Sequence, residues 1–263
     1  MKKWRKEMII AISSYFRRKK CIAKQEIFNF RNVKKYKHLF FDLDRTLWDY
    51  ETNVREILSD IYHKWNLQAY SISLHDFLDG FNHYNQLLWD KYRKGKIKKI
   101  ILRDRRFYLT LKKSGLTNPQ LAEKLSADYI EMSPVKTNLF PDVIKTLDYL
   151  KKKNYHLHII TNGFNEVQYK KIRNSGLENF FEKIITSDNA RSQKPNSKIF
   201  EYALSSVNAR KSESLMIGDD WEVDILGAKT FGIDQVYFNP TQINNTGQAT
   251  YKISNIDELK DFL

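Results

Sequence analysis

Apolar residues along the chain fall into two kinds of pattern. Short unbroken runs closed by polar residues occur at 37–41 (Lys37-His38-Leu39-Phe40-Phe41), 156–160, 183–186, 214–217 and 235–238. Such runs are the mark of strands buried on both faces. Between the last four runs, spans at 164–175, 196–207 and 222–231 have helical length and mixed polarity. Strands alternating with helices predict an α/β fold built on a doubly wound parallel sheet. In such sheets the ligand sits beyond the carboxyl ends of the strands.

Residues 42–155 separate the first run from the second, far more than a simple crossover needs. Segments 53–66, 73–94, 98–114 and 118–133 are rich in leucine and aromatic residues at helical spacing, as in Ile57, Ile61 and Trp65. They predict a helical cap at 53–133, inserted into a core made of 37–52 and 134–263. Pro134 and Pro141 punctuate the return to the core, with Pro141 placed to begin a helix over 142–153.

Charge changes this picture less than its total suggests. The net charge is +14 over 263 residues. Residues 1–37 hold thirteen Lys and Arg against Glu7 and Glu26, which leaves only +3 for the rest of the chain. The basic extension at 1–36 therefore says little about the domain that follows it, and no stable nucleic-acid partner is expected. Its apolar stretch from Met8 to Phe16 lies between two basic clusters, with no small-residue cleavage site after it, so it does not read as a signal peptide. A solvated tail, a start codon assigned too far upstream and an amphipathic helix on anionic lipid are the readings left. No apolar run approaches the roughly 20 residues of a membrane span. The single cysteine, Cys21, excludes an internal disulfide and fits a reducing, cytoplasmic setting.

The chemistry gathers where runs end. The first delivers Asp42 and Asp44, two carboxylates two residues apart that repel unless a cation or a proton intervenes. Both conditions suit phosphoryl transfer, in which Mg²⁺ takes oxygen ligands and an acid protonates the leaving alcohol. The second run ends in Thr161-Asn162-Gly163, a hydroxyl, an amide and a flexible backbone suited to an anion, or equally to a helix cap. Lys194 is followed by Pro195, which keeps it out of the next helix. The fourth run gives Gly218-Asp219-Asp220, with Asp224 beyond it, an acidic cluster suited to a divalent metal.

Taken in order, Asp42-x-Asp44-x-Thr46, Thr161, Lys194 and Gly218-Asp219-x-x-x-x-Asp224 resemble the four motifs of the haloacid dehalogenase superfamily, over residues 37–263. The resemblance implies that Asp42 is a nucleophile forming an aspartyl-phosphate and that Asp44 is the general acid and base. It implies phosphoryl oxygens gripped by Thr161, Asn162 and Lys194. It also implies Mg²⁺ held by Asp42, the Asp44 main-chain carbonyl and Asp219, with support from Asp224; the part of Asp220 is left open. An acid at Asp44 points to phosphate esters rather than carbon–halogen bonds.

Three phrases carry the likeness further: 43–49 (Leu43-Asp44-Arg45-Thr46-Leu47-Trp48-Asp49), the stretch from Pro134 to Pro141, and 159–164. They resemble the noncanonical pyrimidine 5′-nucleotidase subgroup, which implies a nucleoside monophosphate as substrate. Two departures bear on substrate range: Arg45 stands where His or a small polar residue is usual, and Ala190-Arg191-Ser192-Gln193 replaces the usual Gly-x-Lys approach to the lysine. Trp48, Trp89, Arg103 and Arg106 in or beside the cap are candidates for contact with a base or ribose. Burial is the commoner use of such aromatics. The competing readings are a broad phosphatase of sugar phosphates and a nucleic-acid or membrane-binding module on an inactive fold.

Overall fold

A computed structural model describes residues 36–242 and 247–263. The basic extension, save Tyr36, and Cys21 lie outside the described residues. Six parallel strands form one sheet in the order β3-β2-β1-β4-β5-β6. They are β1 His38–Phe41, β2 His156–Thr161, β3 Lys183–Thr186, β4 Ser214–Gly218, β5 Asp234–Phe238 and β6 Tyr251–Ile253. The five runs read from the sequence are β1 to β5. The three-residue β6 pairs with β5 at the sheet edge and is too short to leave a periodic signal.

β1 lies between β2 and β4, with Phe41 level with both Ile159 and Ile217. From that centre the chain winds first to one side and later to the other, so the end of β1 is the switch point where ligands bind in such sheets. Side chains alternate across the sheet. Leu39, Phe41, Ile159 and Ile217 face one apolar layer, while Phe40, Ile160 and Met216 face another with Ile199, Phe200 and Ala203.

Four helices are inserted between β1 and β2: α1 Tyr50–Lys64, α2 Leu74–Arg93, α3 Lys99–Lys113 and α4 Pro119–Met132. Asp49, Ser73 and Asn118 accept hydrogen bonds from main-chain N–H groups in the first turns of α1, α2 and α4. Phe77, Phe81, Phe107 and Tyr129 join three of these helices edge and face, at centroid separations of 5.0–6.3 Å. The two crossings between sheet and insertion run side by side. Phe140 N–H donates to Leu47 O at 3.0 Å and Asp49 N–H to Asn138 O at 3.0 Å. Buried Asn53 fastens them, donating to Asn138 O at 2.8 Å and accepting from Asn138 N at 3.0 Å.

After the insertion come α5 Val143–Lys152, α6 Asn165–Asn174, the short α7 Ser187–Ala190, α8 Ser197–Ser206 and α9 Gly227–Phe231. Pro141 does not begin α5. Asp142 turns the chain at φ 59° and the helix starts at Val143, leaving the proline in the turn before it. The span 222–231 divides into a π-helical turn, Trp221–Leu226, and α9, because Ile225 N–H reaches back five residues to Asp220 O at 3.2 Å. Among the described residues no helix is long and apolar enough to cross a membrane.

His158 on β2 is fully buried, with Phe40 against its ring and His38 Nδ1 3.1 Å from its Nε2. Burial first, and then the neighbouring His38, pushes its imidazole down from 6.5 to about 4. The unfolded chain takes up this proton between those values and the folded chain does not. Stability should therefore fall as pH drops from about 6.5 towards 4, by at most about 1.4 kcal/mol per pH unit. His158→Leu is expected to flatten that slope in urea unfolding followed at several pH values; an unchanged slope would exclude His158 as its source.

Candidate active site

Asp42 follows β1 directly, and its N–H still donates to Ile217 O at 2.8 Å, which fixes the strand end. Its side chain, 7% exposed, accepts at Oδ1 from Lys194 Nζ at 2.5 Å. Lys194 is 1% exposed, donates also to Ile160 O at 2.7 Å and forms an ion pair with Asp224 Oδ1 at 2.6 Å. Burial alone would drive off the lysine's proton, but the carboxylates of Asp224 and Asp42 outweigh it and raise the ammonium above its ordinary value.

Asp42, Asp219 and Asp224 each place a carboxylate oxygen so that all three lie within 4.8 Å of one another. Three acids around one lysine leave a net negative cluster. Burial, only partly offset by Lys194, raises Asp42 to about 7. Asp219 is pushed well above the carboxylate range by burial and by the charges of Asp224 and Asp42, and Thr46 Oγ1 at 3.3 Å is its hydrogen-bond donor. Asp224 is also raised, by burial and by Asp220, against the pull of Lys194. A compact set of oxygens short of positive charge fits a hard divalent cation such as Mg²⁺.

Gly218 makes this cluster sterically feasible, since a Cβ there would lie 2.4 Å from Asp224 Oδ2. Asp220, one of the acids of the sequence cluster, goes elsewhere. Its Oδ1 accepts from the N–H groups of Glu222 and Val223 at 3.0 Å and caps the π-helical turn. Asp220 N–H in turn donates to Asp224 Oδ2 at 3.1 Å, holding that carboxylate in place.

Asp44 leaves the same strand end in another direction. Its Oδ1 accepts from Lys171 Nζ at 2.6 Å and its Oδ2 from Gln168 Nε2 at 2.8 Å. Burial pushes this carboxyl up, but the Lys171 charge and the bonds from Lys171 and Gln168 prevail, and it stays below the usual range. Its carboxylate is not part of the acidic trio. Lys171 itself lies over the Trp48 ring, 3.5 Å from the centroid. Gln168 and Lys171, both buried on α6, are functional candidates that sequence reasoning missed.

Thr161 Oγ1 accepts from Gln168 Nε2 at 2.8 Å and from Gly163 N–H at 3.1 Å, which leaves its own O–H to donate. Gly163 is required here, because a Cβ would come within 2.0 Å of Gln168. The Asn162 side chain is used differently from its sequence reading as an anion ligand. It accepts from Lys194 N–H at 2.8 Å and donates to Lys194 O at 2.9 Å, clipping the lysine loop to the end of β2.

Asp42, Asp44, Thr161, Lys194, Asp219 and Asp224 line a cleft of about 490 Å³ between strand ends and cap, with Arg45 beside them and Tyr50, Trp89 and Arg93 on the cap side. Arg45 stands at φ 68°, stacked over Tyr50 at 3.8 Å and paired with Glu51 at 2.6 Å. Beside Asp44 a smaller cavity of about 70 Å³ reaches under the cap to Arg103, Arg106 and Tyr129. Of the four candidates for base or ribose contact, Trp48 is wholly buried and donates its indole N–H to Lys136 O at 3.0 Å, so it packs. Arg103 is paired with Glu166. Trp89 stacks on Phe164 and lines both cavities.

Residues 39–238 match the family model of haloacid dehalogenase-like hydrolases. YfnB of Bacillus subtilis (strain 168), a HAD-hydrolase, is 29% identical over 235 residues, which are 88% of this chain and 97% of that one. Its magnesium-bound crystal structure superposes with a TM-score of 0.79, at 28% identity, over 87% of this chain and 98% of that one. The pyrimidine 5′-nucleotidase YjjG of Escherichia coli (strain K12) is 30% identical, over 87% of this chain and 98% of its own. The pyrimidine 5′-nucleotidase PynA of Streptococcus pneumoniae (strain ATCC BAA-255 / R6) is 29% identical, over 87% and 95% respectively. With the family model spanning the sheet from β1 to β5 and relatives matched along nearly their whole length, this chain belongs to the haloacid dehalogenase-like hydrolases.

Proposed function

We propose that the protein is a magnesium-dependent phosphomonoester hydrolase whose substrates are pyrimidine nucleoside 5′-monophosphates. The observation that carries the reading is the divergence of two carboxylates from one strand end. Asp42 enters an acidic trio around a lysine, and Asp44 is turned onto Lys171 and Gln168. Two acids in surroundings that push their proton affinities apart are suited to two different roles.

Asp42 is the nucleophile. Lys194 fixes its carboxylate through Oδ1 and partly offsets the negative charge around it. Its attack on phosphorus forms an aspartyl-phosphate as the bond to the leaving oxygen breaks, and Asp44 supplies the proton that this oxygen needs. Asp44 then takes a proton from a water, which attacks the aspartyl-phosphate and releases inorganic phosphate, regenerating Asp42. Asp44 is ionised in the free site; a phosphate dianion brought beside it raises its proton affinity for the first step. The Thr161 hydroxyl and the main-chain N–H groups after it donate to the phosphoryl oxygens. Asp42, Asp219, Asp224 and the Asp44 carbonyl are the groups that would hold Mg²⁺, which when bound offsets charge between the carboxylates and the phosphoryl group. The pyrimidine substrate class is supported by likeness to YjjG and PynA at 30% and 29% identity.

Phosphate release measured on UMP, dTMP, AMP and ribose 5-phosphate should require Mg²⁺ and favour the two pyrimidine nucleotides. Asp42→Asn should reduce it by about 1,000-fold or more. Undiminished release in that variant would remove Asp42 as the nucleophile, while a preference for ribose 5-phosphate would overturn the substrate class.

Lys171 bears on pH dependence. Removing its charge takes away the largest influence that lowers Asp44 and leaves burial, which raises it. Whichever limb of the pH–rate profile Asp44 controls should therefore move to higher pH in Lys171→Met. Superimposable limbs for the variant and the parent protein would show that Lys171 does not tune Asp44.

A further inference from the structure

The cavity beside Asp44 contains a charge that the chemistry above leaves unused. Arg106 on α3 is 6% exposed, and no carboxylate pairs with it among the described residues. Its Nη1 donates to Asn85 Oδ1 at a long 3.3 Å, and its Nε has no hydrogen-bond partner in the protein. The other arginines nearby are neutralised: Arg45 by Glu51 and Arg103 by Glu166.

Packing alone does not account for this placement. The guanidinium lies 4.2 Å from the Tyr129 ring centroid, with Phe81 and Phe107 farther off at 5.5 and 5.7 Å. Cation–π attraction offsets only part of the cost of burying an unpaired charge, and a guanidinium has five N–H donors to satisfy. Among the described residues Asn85 is the one side chain shown accepting from this guanidinium, Nε is left without an acceptor, and the cavity leads from Arg106 to Asp44.

The position defines what that partner belongs to. Asp44 protonates the leaving oxygen, so a group in the cavity beside it belongs to the leaving alcohol and not to the phosphoryl group. The walls come from every cap helix: Tyr50 from α1, Trp89 from α2, Arg106 from α3 and Tyr129 from α4. Asn85 links two of them, accepting from Arg106 and donating to Tyr50 Oη at 2.8 Å. Tyr50 and Tyr129 add aromatic surface on which a planar ring can pack.

We propose that Arg106 determines specificity for the leaving group by donating hydrogen bonds to a ring carbonyl oxygen of a pyrimidine base, oriented by Asn85. The inference rests on the nucleotide reading above and adds the residue that enforces it. A pyrimidine offers such a carbonyl at C2, and uracil and thymine offer another at C4. Adenine and a bare ribose phosphate offer none.

The test compares kcat/KM for UMP, CMP and ribose 5-phosphate, with Mg²⁺, in the parent protein, Arg106→Met and Arg106→Lys. Loss of a charged hydrogen bond to the base should lower the ratio of UMP to ribose 5-phosphate by about 10–100-fold in the Met variant. The Lys variant keeps the charge without the planar fork, and its ratio should fall less. An equal fall for CMP places the contact at the C2 carbonyl, and a fall confined to UMP places it at C4. A ratio unmoved in the folded variants overturns the inference, because a structural role would depress both substrates alike. If the Met variant does not fold, the Lys variant carries the same comparison. A parent protein without preference for UMP would bring down the nucleotide reading and this inference with it; a preference that survives both substitutions would bring down this inference alone.

Discussion

The site depends on one buried cation. Lys194 joins three separate pieces of chain: Asp42 after β1, Ile160 in β2 and Asp224 in the π-helical turn after β4. Taking an ammonium out of water costs several kcal/mol, and removing one partner of a buried pair typically costs about 3–5 kcal/mol. The lysine and its carboxylates therefore require one another. Yet one lysine cannot neutralise three acids, and the raised proton affinities of Asp42, Asp219 and Asp224 come first from burial and then from repulsion between neighbouring carboxylates. The same imbalance that makes the cluster costly makes it receptive to a divalent ion.

Keeping this arrangement constrains residues with no chemistry of their own. Gly218 and Gly163 are glycines because Asp224 and Gln168 occupy the space where a Cβ would stand. Asn162 spends its amide on the Lys194 main chain, which sets the height of the lysine loop over β2. Asp220 caps the turn that carries Asp224. Each is a small local device, and together they place the charged groups without relying on the long-range balance that they are meant to create.

The strands and the acidic residues at their ends were legible because buried parallel strands make unbroken apolar runs and because strand ends order the motifs along the chain. The helices of the insertion were legible as amphipathic segments. What each helix contributes to the cleft was not. Lys170 and Lys171 are adjacent and chemically identical, yet Lys170 is exposed and Lys171 is buried against Asp44. Only the helix rotation set by tertiary packing separates them. Gln168 and Lys171, three apart and so on one helical face, carried a weak signal that ordinary surface helices also carry. Trp48 and Arg106 looked alike as candidates for a base, and burial separates them: the indole has a main-chain acceptor, while the guanidinium lacks a counter-ion.

Chemistry and discrimination are divided between the two layers of the cleft. In the proposed reaction the strand ends supply the groups that handle phosphorus, and the four inserted helices supply the wall facing the leaving group. Across the gap Lys99 meets Asp188 at 3.1 Å and Glu166 at 3.1 Å, and Arg93 approaches Asp220 at 4.0 Å. These pairs are partly exposed, so each contributes about 0–1 kcal/mol and is weakened by salt. The Asn53–Asn138 clip at the two crossings is better protected, with Asn53 fully buried. Buried apolar contacts cross the same gap, with Leu88, Trp89 and Leu102 of the cap packed on Phe164, so the wall over Asp44 is held down mainly by burial at Phe164, while the clip at the crossings fixes where the cap joins the core without touching Lys194 and its carboxylates.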